Sequence, residues 1–229
     1  MTEPMAPTLD GPRIEPRSGN ARKLVVFLHG YGADGNDLIA LGQEWQPLLP
    51  DAAFVSPNAP ELCAGAPTGR QWFELTMRDL GERWRGVNKA APLLDAFLDA
   101  ELARCSLPGS ALALVGFSQG TMMALHVGLR RALSPAAIVG FSGLYVTPEG
   151  KDGPAHAQAE IRSKPPVLLV HGDRDDLIPP QALFISANAL AAAEVPVEWH
   201  LSQGLGHGID GEGLRHGGHF LARALRVPR

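Results

Sequence analysis

Short runs of apolar residues alternate with segments of helical periodicity along most of the chain. The runs occupy residues 24–28, 52–56, 111–117, 136–141, 167–170 and 197–201, and the helical segments about 36–48, 87–105, 119–133, 180–193 and 211–225. Each run is short and ends at proline or a polar residue, as buried parallel strands do. This alternation predicts an α/β fold, with a mostly parallel central sheet and helices on both faces.

Nothing in the sequence divides this alternation into two parts. We therefore expect one domain over residues 21–229, preceded by an N-terminal extension at residues 1–20. Two segments interrupt the pattern. Residues 61–86 combine aromatic rings with glycine and charge, and residues 147–164 are rich in glycine, proline and charge. We expect a binding loop from the first and a surface excursion with a short helix from the second.

The charge and the cysteine content exclude several classes of protein. A net charge of −4 does not provide the basic surface of a nucleic-acid-binding protein. No apolar run approaches the ~20 residues that cross a bilayer, and the first residues lack the apolar region of a secretory signal. Two cysteines cannot form a disulfide framework. We expect a cytoplasmic protein with no nucleic-acid partner and no stable membrane insertion; a homodimer is left open.

The pentapeptide GFSQG at residues 116–120 matches the G-x-S-x-G pattern. An apolar run precedes it and a helical segment follows it, which is the strand–turn–helix arrangement of a nucleophile elbow. Ser118 is therefore the candidate nucleophile, although a tight turn with an incidental serine satisfies the same pattern. Ser142 follows a similar strand end but lacks a glycine two residues later.

A serine hydroxyl becomes a good nucleophile only when a base removes its proton and a third group orients that base. In enzymes built on a nucleophile elbow, the acid follows the serine and the histidine comes last. The fifth predicted strand leads into an acidic turn with Asp173, Asp175 and Asp176, and the sixth leads into a loop with His207. His207 is the candidate base and one of these aspartates the candidate acid. Taken alone, His207 is also consistent with a surface histidine, and the aspartate with a solvated turn carboxylate.

A glycine-rich stretch, HGYGADG at residues 29–35, follows the first predicted strand. A flexible backbone at that place can direct an N–H towards an oxyanion, together with the N–H of the residue after the nucleophile. The backbone amides of Tyr31 and Gln119 are the candidates. A phosphate-binding loop is the alternative, but the P-loop and dinucleotide-binding motifs are both absent from the sequence.

Together these segments resemble the phospholipase/carboxylesterase family of α/β-hydrolases, the relatives of acyl-protein thioesterases. The similar blocks, spread over residues 24–210, are FLHGYG (27–32), PNAP (57–60), WF (72–73), GFSQG (116–120), SG (142–143), HGDRD (171–175) and GH (206–207). The resemblance implies an α/β-hydrolase fold without a large cap domain, and a reaction that needs no cofactor. It makes Ser118 the nucleophile, His207 the base and, through the pattern H-G-x-x-D, Asp175 the acid. The stretch YGADGND at residues 31–37 is more similar to bacterial carboxylesterases than to eukaryotic protein thioesterases.

The resemblance also gives Tyr31 and Gln119 the positions of the oxyanion-hole amides, but the chain departs from the family pattern at three places. Leucine is common where Tyr31 stands, glycine where Thr121 stands and proline where Asp176 stands. Only the main chain of Tyr31 is needed for an oxyanion, so we expect its ring to shape the substrate entrance.

Apolar side chains near the predicted site indicate a partly covered acyl groove. The predicted substrate-binding residues are Tyr31, Leu62, Trp72, Phe73, Leu177 and Ile178, with Leu75 and Met77 on the same segment. A short groove favours a serine carboxylesterase acting on small-molecule acyl esters of short to medium chain length. A thioesterase or lysophospholipase for longer chains is the alternative enzyme, and a non-catalytic binding protein the alternative of another class. No metal is expected, because His207, His216 and His219 lack the spacing of a metal motif.

Overall fold

The computed structural model describes residues 9–64, 66–76, 79 and 81–226. Within this part of the chain the strands are β1 (Arg13–Ile14), β2 (Lys23–Leu28), β3 (Ala52–Val55), β4 (Glu61–Cys63), β5 (Ala66–Gln71), β6 (Leu112–Phe117), β7 (Ala137–Phe141), β8 (Val167–Gly172) and β9 (Val197–Ser202). The helices are α1 (Gly35–Trp45), α2 (Glu82–Arg104), α3 (Gln119–Gly128), α4 (Gly153–Ala159), α5 (Gln181–Ala192) and α6 (Gly211–Ala224), with a 3₁₀ turn at Gly109–Ala111.

Among the described strands, seven form the central sheet in the order β1-β3-β2-β6-β7-β8-β9. The strands from β3 to β9 in that order run parallel, and β1 pairs antiparallel with β3 at the edge. The remaining two, β4 and β5, form a separate antiparallel hairpin. The predicted mostly parallel sheet is confirmed.

Helices cover both faces of this sheet. Along β2, Leu24 and Val26 face the core under α2, α3 and α5, whereas Val25 and Phe27 face the core under α1 and α6. Strands buried on both faces have no polar side, and for this reason they appear in the sequence as continuous apolar runs. None of the helices in the described ranges combines the length and apolarity needed to cross a bilayer.

The predicted strands agree with the structure within one or two residues, and the helices agree less closely. Helix α2 begins at Glu82 instead of residue 87, and α3 ends at Gly128 instead of residue 133. Helix α4 is the short helix expected within residues 147–164. Residues 61–86 differ from the expected loop, because their described part forms the β4–β5 hairpin and the start of α2.

The segment assigned by sequence to an N-terminal extension is packed on the domain in its described part, residues 9–20. Leu9 is buried in the core, and β1 extends the sheet by pairing with β3. Arg13 Nη2 donates to Oε1 of Glu101 on α2 over 2.7 Å, so this segment also contacts a helix. The packed structure therefore includes residues 9–20, which precede the predicted start of the domain at residue 21.

Candidate active site

The candidate residues lie at one edge of the sheet. Ser118 follows β6, Asp175 follows β8 and His207 follows β9, while residues 29–34 follow β2. These strands are parallel, so their carboxyl ends meet at the same edge. The structure thus brings residues that are far apart in sequence into one region.

Ser118 has the backbone conformation of a nucleophile elbow. Its φ of 52° and ψ of −114° lie in a region that residues with a side chain rarely adopt. A Cβ on Gly116 would lie 2.4 Å from the Gly120 carbonyl, and one on Gly120 would lie 1.8 Å from the Leu28 carbonyl oxygen. Only glycine therefore fits where β6, α3 and the end of β2 meet. The Ser118 N–H donates to the Phe141 carbonyl oxygen over 2.9 Å, which fastens the turn to β7.

The candidate base is hydrogen-bonded to a candidate acid. His207 Nδ1 lies 2.7 Å from Asp175 Oδ2, and the Asp175 side chain is completely buried. The other carboxylate oxygen, Oδ1, accepts the backbone N–H groups of Leu177 and Ile178 over 3.0 and 2.9 Å. An ionised carboxylate only accepts, so His207 Nδ1 donates to it; in the neutral imidazole the lone pair is then on Nε2.

The acidic turn presents its three aspartates differently. Asp173 accepts a backbone N–H from the next loop, and Asp176 is exposed. Asp175 alone of the three is hydrogen-bonded to the candidate base. The buried His171 ring supports this turn, because its Nε2 lies 2.8 Å from the Ile178 carbonyl oxygen and 3.2 Å from Asp175 Oδ2.

Two contacts hold the His207 loop beside the elbow. The rings of Phe117 and His207 have centroids 5.0 Å apart, so the imidazole packs on the residue that precedes Ser118. Ser142 Oγ donates to the Gly208 carbonyl oxygen over 3.0 Å. Ser142 is fully buried, and this contact gives it a positioning role, whereas Ser118 is only half-buried.

The glycine-rich loop after β2 is held by the β4–β5 hairpin. The Gly32 N–H donates to the Arg70 carbonyl oxygen over 2.9 Å, and the Arg70 N–H donates to the Ala33 carbonyl oxygen over 2.7 Å. Gly32 has a φ of +80°, a conformation that favours glycine. A Cβ on Gly69 would lie 2.2 Å from the Gly32 carbonyl oxygen. Hairpin and loop therefore pack backbone against backbone, next to Tyr31.

The Gln119 side chain makes a second connection to the segment after the hairpin. Its Oε1 accepts the Trp72 N–H over 2.9 Å, and its Nε2 donates to the Phe73 carbonyl oxygen over 2.8 Å. Trp72 Nε1 in turn donates to the His29 carbonyl oxygen over 3.0 Å. Burial lowers the pKa of His29, whose Nε2 accepts the Ala59 N–H over 3.0 Å. Sequence patterns gave no signal for this network, because it uses backbone groups and a single amide side chain.

Comparison with known proteins identifies the family of this chain. A family profile described as phospholipase/carboxylesterase matches residues 9–225. The chain belongs to the phospholipase/carboxylesterase family. The resemblance predicted from the sequence is thereby confirmed, and the fold class with it.

Individual family members are similar over most of their length. Esterase YpfH of Escherichia coli K12 is 27% identical over 195 residues, covering 85% of this chain and 80% of that protein. Acyl-protein thioesterase 1 of Schizosaccharomyces pombe is 29% identical over 170 residues, covering 72% of this chain and 73% of that one. The crystal structure of esterase PE8 has a TM-score of 0.90 at 46% identity, covering 95% of this chain and 100% of that one.

The departure from the family pattern at Thr121 has a packing explanation. Its Oγ1 lies 2.9 Å from the carbonyl oxygens of Gly116 and Phe141, so the hydroxyl joins the elbow to β7. Room for the side chain comes from two glycines opposite it. A Cβ on Gly140 would lie 2.5 Å from Thr121 Cγ2, and one on Gly143 would lie 2.3 Å from Thr121 Cβ.

Three of the predicted substrate-binding side chains are exposed. Tyr31 is 40% exposed, Leu62 66% and Leu177 63%. Hydrogen bonding with the Cys63 thiol raises the pKa of the Tyr31 hydroxyl, so the Tyr31 ring lies beside β4, the strand that carries Leu62. All three side chains are therefore open to solvent.

The other predicted substrate-binding side chains are buried. Trp72 and Phe73 are each 1% exposed and belong to the core, and Ile178 is 7% exposed. The expectation that the two aromatic rings line an acyl groove is therefore not supported, because the rings are packed against neighbouring side chains and closed to solvent. Leu75 is half-buried against the same core, and Met77 lies outside the described residues.

Proposed function

We propose that this protein is a serine carboxylesterase that hydrolyses short- to medium-chain acyl esters through an acyl-enzyme formed on Ser118. The observation that carries the proposal is the 2.7 Å contact between Asp175 Oδ2 and His207 Nδ1, at the sheet edge where Ser118 occupies an elbow with positive φ. An oriented base with a free lone pair, beside an accessible serine, is the arrangement that acyl transfer needs.

Each group then has a defined step. His207 Nε2 takes the proton of Ser118 Oγ as the oxygen bonds to the ester carbonyl carbon, and the carbonyl oxygen becomes an oxyanion. The tetrahedral intermediate collapses, the bond to the alcohol oxygen breaks, and the alcohol leaves with the proton from His207. Water repeats the sequence on the acyl-enzyme, which releases the carboxylic acid and restores the serine. Asp175 stabilises the imidazolium that forms in both halves of the reaction.

The oxyanion is stabilised in this proposal by the N–H groups of Tyr31 and Gln119. Gln119 is the first residue of α3, and the first N–H groups of a helix have no acceptor within the helix and lie at its positive end. Its side chain is anchored to Trp72 and Phe73, so the amide is held in place before substrate arrives. Preorganised donors of this kind are typically worth several kcal/mol in the transition state.

The chain-length preference follows from where the apolar side chains lie. Trp72 and Phe73 occupy the core, so in this proposal the acyl chain contacts the exposed side chains of Tyr31, Leu62 and Leu177 instead. A shallow surface of this kind contacts only the first few methylenes. The names of two similar proteins, esterase YpfH and esterase PE8, support ester hydrolysis as the reaction.

A fluorophosphonate probe tests the serine assignment, because it forms a covalent adduct with an activated serine. We expect labelling of the wild-type chain at Ser118 and loss of labelling in Ser118→Ala. Ser142→Ala removes only the hydrogen bond to the Gly208 carbonyl, so it should still be labelled at Ser118, although more slowly. Esterase kcat of Ser118→Ala should fall by a factor on the order of 10⁴–10⁶. An unlabelled wild-type protein would favour the non-catalytic binding protein, and an adduct on Ser142 would move the nucleophile.

A second candidate function is hydrolysis of long-chain acyl thioesters or lysophospholipids. The name of two fungal relatives, acyl-protein thioesterase 1, supports the thioesterase part of this candidate. Hydrolysis of aryl esters from acetyl to palmitoyl, each below its micelle concentration, separates the two candidates. Each methylene that finds an apolar contact adds up to about 0.8 kcal/mol. We expect kcat/KM to be greatest near butyryl to hexanoyl, with palmitoyl at least about tenfold lower. A maximum at myristoyl or palmitoyl would replace the first candidate with the second.

A further inference from the structure

A second cluster of ligand-type side chains lies where β9 faces α6. His200 projects from β9, and Glu212 and His216 lie one helical turn apart on α6. Their ligand atoms are all within 4.8 Å of one another. His200 Nε2 is 4.0 Å from Glu212 Oε2, and His216 Nε2 is 3.8 Å from Glu212 Oε1.

These contacts are too long to be hydrogen bonds. His200 Nε2 is buried, and within the described part of the chain it has no hydrogen-bond partner. A buried polar nitrogen without a partner is costly and calls for an explanation. The rings of His200 and His216 have centroids 4.4 Å apart, so both imidazoles border the same small space as the Glu212 carboxylate.

We infer that His200, Glu212 and His216 form a binding site for a divalent transition-metal ion, of which Zn²⁺ fits best. Two imidazoles and one carboxylate are a ligand set that zinc accepts, whereas Ca²⁺ and Mg²⁺ prefer oxygen ligands alone. In a four-coordinate site with ligands about 2.1 Å from the ion, the ligand atoms stand ~3.4 Å apart. The distances of 4.0 and 3.8 Å to the carboxylate would therefore have to shorten by about half an ångström when an ion binds. Glu212 and His216 are about half exposed, which leaves an entry path and a position for water.

This cluster is not the set of His207, His216 and His219, whose spacing in the sequence excludes a metal motif. His216 is shared, but its partners come from a strand and from the preceding helical turn, instead of from His207 and His219. The neighbouring cation Arg215 has Nη2 3.7 Å from Glu212 Oε1 and is 60% exposed. Its side chain can turn into solvent when an ion arrives.

The proposed ion lies at the base of the loop that carries His207. His200 precedes this loop and Glu212 follows it. Between them, Asp210 Oδ1 accepts the Gly213 N–H over 2.7 Å and the Ser202 hydroxyl over 3.1 Å, which already joins the end of β9 to α6. A bound ion adds a second link between the same two elements, so zinc should stabilise the folded protein.

Calorimetric titration of the untagged, chelator-treated full-length chain with Zn²⁺ tests the inference. We expect one tight ion per chain, a zinc-dependent rise in Tm, and a Co²⁺ form with the absorption of a four-coordinate site. His216→Ala should weaken binding by at least about 10–100-fold, since even outer-shell partners of a metal contribute that much. Glu212→Gln should act in the same direction. His219→Ala is the matched control, on the same helix but outside the cluster, and should bind like the wild type.

The pair formed by His207 and Asp175 is a competing zinc site, and a further variant separates the two. In His207→Ala the tight site should persist with unchanged stoichiometry. Loss of tight binding in His207→Ala, together with retention in His216→Ala, would assign the ion to the other pair and overturn the inference. Absence of tight binding by the wild-type chain would overturn it as well.

Discussion

Asp175 differs from its two acidic neighbours in what its carboxylate contacts. One oxygen accepts from His207 and the other from two backbone N–H groups. We expect Asp175→Asn to lower kcat by a factor on the order of 10³–10⁴, because an amide cannot stabilise the imidazolium and favours the wrong tautomer. Asp173→Asn and Asp176→Asn should change kcat less than about tenfold. Initial rates on a butyryl ester, with circular dichroism as the folding control, measure all three; a deep loss in Asp176→Asn would relocate the acid.

The surroundings of His126 determine how the stability of the fold depends on pH. Burial, with a smaller contribution from Arg130, lowers its pKa to about 3. Since this lies below the value of an exposed histidine, the neutral ring stabilises the fold above about pH 6.5, and this stability is lost as the pH falls towards 3. The loss attributable to His126 should be about 2 kcal/mol at pH 5.

Urea unfolding at pH 7 and pH 5 measures this contribution. His126→Phe keeps a ring but cannot be protonated, so its unfolding free energy should depend less on pH than that of the wild type. The rings of His126 and His156 both contact the Trp84 ring, His156 from an exposed position. The control variant His156→Ala should leave the pH dependence unchanged. Equal slopes for His126→Phe and the wild type would contradict the assignment.

The β4–β5 hairpin packs against the candidate oxyanion loop and holds it in position. Gly69 packs against the Gly32 carbonyl, so a side chain at residue 69 must displace the loop that carries the Tyr31 amide. We expect Gly69→Ala to lower kcat by on the order of 10–100-fold, since misplacing a catalytic group by about 1 Å costs that much. Gly211→Ala is the control, because a Cβ there meets no atom within 4 Å. An unchanged kcat in Gly69→Ala would show that the position of the hairpin does not influence the reaction.

At the level of elements, the sequence predicts those parts of the site that follow directly from a strand. The sequence predicts that Ser118 and His207 lie at one edge of the sheet, because Ser118 directly follows one apolar run and His207 lies in the loop after another, and parallel strands place such positions at one edge. The hairpin could not be predicted, because residues 61–86 show neither strand nor helix periodicity. The burial of Trp72 and Phe73 was missed for a related reason: an aromatic ring suits a groove and a core equally well, and only packing decides between them.

Across the whole molecule, the N-terminal segment is tied to the domain through Arg13 and Glu101. Burial would raise the pKa of Glu101, but hydrogen bonds from Arg13 and Arg104 outweigh it and leave the pKa below its usual value. Arg13→Ala leaves a buried carboxylate with one partner, so we expect a loss of about 1–2 kcal/mol at pH 7. A lowered carboxyl pKa stabilises the fold above about pH 4.5, and this contribution is lost as the pH falls through the lowered value.

Unfolding experiments at pH 7 and below pH 4 should therefore show the Arg13→Ala deficit shrinking with acidity. Asp10→Asn is the control, because Asp10 pairs with the same guanidinium from a position that is 87% exposed, and it should cost less than about 0.5 kcal/mol. A deficit independent of pH would mean that Arg13 acts through packing alone. The sequence did not reveal this link, since an arginine and a glutamate 88 residues apart form no local pattern.

The packing of Thr121 constrains how this chain can diverge. Its side chain fills space that side chains at residues 140 and 143 would otherwise need, so the threonine and a side chain at either position exclude each other. Any residue larger than glycine at 140 or 143 collides with this side chain. The two positions differ in what a smaller residue at 121 would release. A Cβ at residue 143 would still lie 2.8 Å from the Ser118 carbonyl oxygen, so the elbow itself requires that glycine, whereas residue 140 would be left with only the Leu169 side chain opposite it.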